Sequence, residues 1–396
     1  MRGYKRTSST SAALALTAAL LAAATACAHG PVRTMSDEGK APGKEARSPF
    51  TLVATGDILP HDSVIEQAHR DAGRRGYDFR PMLAGVKPVI SAADLAICHM
   101  ETVYGPAGGP YTGYPSFASP PQLAAAAEDT GYDSCSTASN HTLDAGFDGV
   151  SRTLDALDAA GVAHAGSART PAEALRPALL QAGGATVAQL AYTYGTNGNP
   201  SPRDKPWAVN ITDPERIVAD SRRARRAGAD IVVVSLHWGT EWQDAPDAEQ
   251  QRLARELTAS RSAGAPDVDL ILGTHAHVPQ AFEKVNGTWV VYGMGDQIAG
   301  RMINHEGDRE PRGNQGTIAR FTFSPPERDS ARWRVTKAEH LPQLMDHHRA
   351  GPPRVVDLGA ELARGDAPER YRRVHDRISE VVLSRGAGAD GLTTPR

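Results

Sequence analysis

An α/β fold follows from three features of this 396-residue chain. Short apolar runs end in polar clusters, and stretches with helical spacing of apolar residues lie between them. The clusters sit where strands would end, which is where open α/β sheets gather their ligands. Hydrophobic residues make up 40% of the chain and charged residues 22%, enough apolar matter for a large core without crosslinking. The length fits two domains or one large one. Its 38 glycines and 28 prolines imply many loops around short elements.

The chain opens with Arg2, Lys5 and Arg6, followed by the apolar run Ala12 to Ala24 and then Thr25-Ala26-Cys27. This is the basic, apolar and small-residue order of an export signal, expected over residues 1–26. The run is shorter than the ~20 residues a spanning helix needs. LAAATAC resembles a bacterial lipoprotein signal cleaved before Cys27, with Ala24 where Leu is usual. The expected location is the outer face of the cell membrane with Cys27 lipidated; the alternative is secretion with a free Cys27. Residues 27–47, rich in Gly, Pro, Ser and charge, read as a flexible tether. A main domain is expected over 48–340, with a C-terminal helical extension and tail over 341–396.

Within that domain FTLVAT (50–55) reads as a buried strand ending in Gly56-Asp57. DLAIC (94–98) ends in His99-Met100-Glu101, and YDSCSTA (132–138) in Ser139-Asn140-His141. IVVVSL (231–236) ends in His237-Trp238-Gly239, and LIL (270–272) leads to Gly273-Thr274-His275-Ala276-His277. WVVY (289–292) ends in Gly293-Met294-Gly295-Asp296. Helices are expected at 121–129, 146–160, 213–228 and 245–260 from apolar spacing, acidic starts and Gly stops. Residues 317–323 and 333–335 read as later antiparallel strands. Tyr371, Val374, Ile378 and Val381 mark a last helix stripe, and 386–396 reads as frayed. Six polar clusters would then meet in one crevice.

The net charge is −3, which argues against a general nucleic-acid coat. Three cysteines are too few for a disulfide scaffold. Cys98 and Cys135 could pair if their strands are neighbours; two buried thiols are the alternative. No GxSxG elbow or P-loop occurs, and the glycines at 105, 108 and 109 do not follow the dinucleotide fingerprint after a strand. The 14 histidines say more. His275-Ala-His277 after a strand and a Gly, together with His237 and Asp57 at other strand ends, makes a candidate metal set. Mixed imidazole and carboxylate ligands suit Zn, Mn or Fe, whereas Mg prefers more oxygen. Glu101 and Asn140 could add oxygens. His141 could protonate a leaving group, with Asp144 close by. His99 could ligate or support a ligand. Trp238 and Trp242 could wall a cleft or fill core, and Tyr104, Tyr111 and Tyr114 lie in a Gly/Pro-rich stretch that reads as a surface loop beside the site.

Gly56-Asp57, ADLAICHMET, Ser119-Pro120-Pro121, TASNHTLDAG, SLHWGTEW, GTHAHVPQ and VYGMGDQ, in this order, resemble the capsule-synthesis CapA family, the poly-gamma-glutamate biosynthesis proteins. That family looks like a relative of calcineurin-type metallophosphoesterases. The resemblance implies a four-layer α-β-β-α sandwich with divalent metals, expected as two Mn, Zn or Fe ions, at the strand ends. It gives Asp57, Glu101, Asn140, His237, His275 and His277 as metal ligands and His141 as the catalytic acid. His99, Asp144 and Asp296 could act as further ligands or supports. Two positions depart from the pattern: His99 stands for Asn, and Asp296 for the Asn of Gly-Asn. The implied activity is metal-dependent phosphoester hydrolysis in envelope or capsule-polymer metabolism. The alternatives are a non-hydrolytic poly-gamma-glutamate binding, assembly or export factor, or a metal-dependent glutamyl amide hydrolase. Expected partners are an anionic envelope polymer or phosphoester, the membrane through a lipid anchor, and capsule-synthesis proteins; nucleic acid is not expected.

Overall fold

The computed structural model describes residues 47–327 and 332–395. The expected export signal, Cys27 and all of the tether except Arg47 lie outside the described residues. Among the described residues the strands are, in chain order, β1 Phe50–Leu59, β2 Leu95–Met100, β3 Ser134–Ser136, β4 Ala163–Ala165, β5 Ala178–Ala182, β6 Ala185–Thr193, β7 Ile231–His237, β8 Arg261–Ser262, β9 Ala265–Pro266 and β10 Leu270–Thr274. They continue with β11 Phe282–Val285, β12 Thr288–Val291, β13 Asp296–Ala299, β14 Gln315–Ser324, β15 Arg334–Asp346, β16 Arg354–Asp357 and β17 Leu392–Thr393.

All but β8 and β9, which pair with each other, form two large sheets. One runs β16-β15-β14-β1-β2-β3-β4, with β13 also on β1 and β17 on β15. The other runs β11-β12-β10-β7-β6-β5. The central strands β1, β2, β3, β6, β7 and β10 pair in parallel within their sheets. Such strands are covered on both faces, so they read as continuous apolar runs rather than alternating ones.

The faces can be followed residue by residue. Leu52 and Ala54 of β1 and Leu95 and Ile97 of β2 share a core with Val187, Ile231, Val233, Leu270 and Leu272 of the other sheet. Val53, Ala96 and Cys98 face the opposite way, against Val64, Ala68, Leu123 and Leu157 of helices Asp62–Asp71, Gln122–Thr130 and Gly146–Ala160. Val232, Val234 and Ile271 meet Ile217, Ala224, Leu253 and Leu257 of helices Pro214–Arg226 and Ala248–Ala259. The order is helix, sheet, sheet, helix, the sandwich expected. Each fully buried Leu, Ile or Val contributes about 1.5–3 kcal/mol, so this three-layered burial dominates the fold energy.

The helices start where their caps dictate. The Asp213 carboxylate accepts from the amides of Glu215 and Arg216, with Pro214 in the first turn. Asp247 and Gln250 form a reciprocal capping box. Helix Gly146–Ala160 has the bounds expected, stopped by Gly161 in the left-handed region.

The C-terminal region differs from expectation. The boundary at 340/341 falls inside β15, and the described residues on both sides of it belong to one compact unit. Helix Glu369–Leu383 adds Tyr371, Ile378 and Val382 to the core between the sheets. Residues 386–396 were expected to fray; instead Ala387 and Leu392 are buried and β17 pairs with β15. Two small apolar anchors suffice to tie down this short segment. Cys98 and Cys135 are registered partners on β2 and β3, with Cα atoms 4.4 Å apart, and they are bonded. No helix among the described residues is long and apolar enough to cross a membrane.

Candidate metal centre

Strand register assembles the site. In parallel sheets, paired residues point to the same face, so equal register at the C-terminal ends lines functional groups in a row. Asp296 of β13 pairs with Asp57 of β1, Asp57 with His99 of β2, and His99 with Ser136 of β3. In the other sheet Thr193 of β6 pairs with His237 of β7, and His237 with Thr274 of β10. The two rows face each other across the top of the sandwich. The rings of His99 and His237, one from each sheet, stack with centroids 4.7 Å apart.

Two glycines permit the close approaches this needs. A Cβ on Gly56 would lie 1.7 Å from the Gly295 carbonyl oxygen, where the Asp57 amide donates at 3.0 Å. A Cβ on Gly273 would lie 2.0 Å from the Tyr292 carbonyl oxygen. Beyond β10 the chain turns sharply, and His275 and His277 both have positive φ, +92° and +56°. Residues with a Cβ seldom adopt this region, and the surrounding structure must hold them there. Here the His275 amide donates to Asp57 Oδ2 at 3.1 Å, and the Trp242 amide donates to the Ala276 carbonyl at 2.9 Å.

Most of the expected ligands meet. Ligand atoms of Asp57, His99 and His237 lie within 4.8 Å of one another. The same holds for Asp57, His277 and Asp296, and for Glu241, His275 and His277. His237 Nε2 is 3.0 Å from Asn140 Oδ1 and 3.8 Å from Glu101 Oε1. His277 Nδ1 is 2.9 Å from Asp296 Oδ1 and 3.6 Å from Asp57 Oδ2. His275 stacks near His237, centroids 4.7 Å apart. All of these except Glu241 are buried.

Asp144 is placed elsewhere. Its Oδ2 accepts from His141 Nδ1 at 2.6 Å and from the Phe117 amide at 2.8 Å, and Asn199 reaches its Oδ1 at 3.3 Å. His141 packs edge-on against Phe117 next to Asn140. Of the expected aromatics, Trp238 fills core and donates to the Tyr292 carbonyl. Trp242 lies beside His277, ring centroids 5.4 Å apart. Tyr104 was expected on a surface loop; it is buried and bonds to Met100 Sδ. Tyr114 alone of the three is strongly exposed.

The electrostatics leave a deficit. Burial pushes the Asp57 carboxyl up to about 8, and Asp296 up to about 6. Burial, and then the Asp57 charge, lift Glu101 well above its ordinary value. His237 and His275 are driven well below theirs, by burial first and neighbouring imidazoles second. His277 runs the other way: burial opposes its proton, but Asp296, Glu101 and Asp57 overcome that and raise it. Asp57 Oδ1, both Glu101 oxygens, His99 Nε2, His275 Nδ1 and Asp296 Oδ2 are buried without a hydrogen-bond partner. Buried polar atoms are normally paired, and crowded carboxylates need compensating charge. A divalent cation answers both needs, and the mixed nitrogen and oxygen donors suit one. These residues fit a metal.

Four contributors escaped sequence reasoning. Glu241 joins the His275–His277 group and also pairs with exposed His305 at 3.3 Å. Ser136 and Thr274 contact His99 and His237 at Nδ1. Tyr194, at the end of β6, is half-exposed with its ring 4.5 Å from that of His275. Glu241 lies inside SLHWGTEW and Thr274 inside GTHAHVPQ, whereas Ser136 and Tyr194 lie in neither a cluster nor a motif of the resemblance.

The chain is similar to several known proteins. The chain is 31% identical over 172 residues to the PGA biosynthesis protein CapA of Bacillus subtilis, covering 43% of either chain. It is 27% identical over 177 residues to the capsule biosynthesis protein CapA of Bacillus anthracis, covering 44% of this chain and 41% of that one. The matched region thus spans less than half the length of these relatives. Among solved structures, a 5′-nucleotidase precursor from Thermus thermophilus aligns over 85% of this chain and 59% of its own, at 17% identity and a TM-score of 0.41. The model of the family described as bacterial capsule synthesis protein PGA_cap matches residues 51–301, which include every residue of the centre, and the chain belongs to that family.

Proposed function

We propose that this chain is an exported, metal-dependent hydrolase of the phosphoester type, working in cell-envelope or capsule-polymer metabolism. One observation carries the reading. Unpartnered buried donors from both sheets converge on one cleft, and an imidazole braced by a carboxylate stands beside it. Asp57, Glu101, Asn140, His237, His275 and His277 would hold the metal. Asp57 belongs to two separate ligand groups, which favours two ions, Mn, Zn or Fe. Bound there, they would acidify water and polarise a phosphoryl oxygen.

The protein's own part is positional. The two rows of strand ends fix the donors before substrate arrives, so little reorganisation is needed during reaction. Asp144 accepts from His141 Nδ1, which orients the ring with Nε2 turned away from the carboxylate. Nε2–H can then hand its proton to the leaving oxygen. Half-exposed Tyr194 and the edge of Trp242 border the cleft and would contact the substrate. Export and lipidation at Cys27 are part of the proposal and rest on residues 1–27.

A second reading is a non-hydrolytic factor that binds or assembles a poly-gamma-glutamate chain. The names of the two CapA relatives favour it. One experiment separates them. Purified protein, before and after chelation, is assayed on phosphomonoesters, phosphodiesters and gamma-linked glutamate chains. Chelator-sensitive phosphate release is the expected result. Tight polymer binding with no turnover would replace the enzyme reading by the assembly one, and cleavage of the glutamate chain would make it an amide hydrolase.

A further inference from the structure

Each sheet ends a strand in a histidine that is handled in the same way. In the smaller sheet His237 Nδ1 lies 3.0 Å from Oγ1 of Thr274, its registered neighbour, and that hydroxyl reaches the Leu236 carbonyl at 3.5 Å. In the larger sheet His99 Nδ1 lies 2.7 Å from Oγ of Ser136, also its registered neighbour, and that hydroxyl reaches the Cys98 carbonyl at 3.4 Å. In both cases a hydroxyl on the next strand donates to the carbonyl just before the histidine. Its free lone pair then accepts Nδ1–H. For His99, whose Nε2 has no partner, this places the proton on Nδ1 and leaves Nε2 a lone pair, whereas His237 Nε2 meets Asn140 Oδ1 at 3.0 Å.

Nε2 of His99 is buried without a partner, 3.6 Å from Asp57 Oδ1, which is also unpartnered. A lone pair facing a carboxylate oxygen is unfavourable unless a cation lies between them. The Cys98–Cys135 bond ties β2 to β3 one residue below, so the Ser136 hydroxyl stays opposite the ring. Metal-bound histidines are regularly oriented by such a partner on the other ring nitrogen.

We infer that His99 is itself a nitrogen ligand of the metal centre, that Ser136 sets its tautomer, and that this added imidazole favours zinc over magnesium. The inference rests on the metal-centre reading above. Imidazole suits zinc, whereas magnesium prefers oxygen ligands.

Zinc and magnesium are titrated separately into the metal-stripped full chain by calorimetry, for the wild type, His99→Asn, Ser136→Ala and Ser136→Thr. His99→Asn is expected to weaken zinc about 10- to 100-fold and leave magnesium unchanged. Ser136→Ala is expected to weaken zinc about 10-fold, and Ser136→Thr, which keeps the hydroxyl, to restore it. Equal zinc affinity in wild type and His99→Asn would overturn the inference while leaving the metal centre intact. A wild type that binds neither ion would overturn the metal-centre reading itself. A crystal of zinc-loaded wild type needs no variant to fold: an anomalous peak against His99 Nε2 is expected, and a zinc peak elsewhere with Nε2 free would overturn the inference.

Discussion

At the scale of single residues, His141 and Gly56 carry the sharpest expectations. His141 bonds to Asp144, not to the ligand groups, so its removal should spare the metal. His141→Ala is expected to lower turnover by about 10²–10⁴, the usual worth of a general acid, with metal content unchanged by elemental analysis. Unchanged turnover would remove its catalytic role. Gly56 acts through space alone. A methyl there meets a backbone oxygen that cannot move without breaking the Asp57 amide bond to Gly295. Gly56→Ala is expected to cost about 3 kcal/mol or more in denaturant unfolding and to weaken metal binding with it. A variant as stable as wild type would mean that the β1–β13 junction relaxes freely.

Elements differ in how plainly the sequence announces them. The parallel strands β1, β2, β7 and β10 stand out because burial on both faces makes them continuously apolar. β6 is buried just as fully, yet Gln189 interrupts it; its Oε1 accepts from Ser134 Oγ across the sandwich, which no local pattern reveals. β15 is harder still. It carries Lys337, Glu339, His340, Pro342 and Gln343. Glu339 is held by Arg320 and Lys337, and Pro342 lies just before the stretch that pairs with β16. Proline is tolerated where one edge is free of the ladder. The candidate site was legible because its ligands sit in dense polar clusters at strand ends. Ser136 and Thr274 were not, since a hydroxyl matters here only through register. The β2–β3 crosslink is the element-level device with a measurable effect. It closes a loop of 37 residues, worth up to about 4 kcal/mol by chain entropy. Urea unfolding with and without reductant should differ by about 2–4 kcal/mol; coincident curves would show that the strands need no bond to stay paired.

For the whole molecule, pH and metal are the two levers. His340 is fully buried on β15, with Thr394 on Nε2 at 2.7 Å and nothing on Nδ1. Burial pushes it from 6.5 down to about 4. The folded protein therefore holds it neutral where the unfolded chain would take up a proton. Its stabilising contribution is complete above pH 6.5 and is lost as pH falls toward 4, about 3 kcal/mol at most. His340→Gln should flatten the stability profile in that window; an identical slope in both proteins would exclude His340 as the acid-sensitive group.

The account turns on one claim, that donors from both sheets share a bound metal. Elemental analysis of the purified protein beside Asp57→Ala, from the larger sheet, and His237→Ala, from the smaller, tests it most directly. The wild type should carry divalent metal and each variant should lose most of it while remaining folded by circular dichroism. Full metal content in both folded variants, or none in the wild type, would contradict the account.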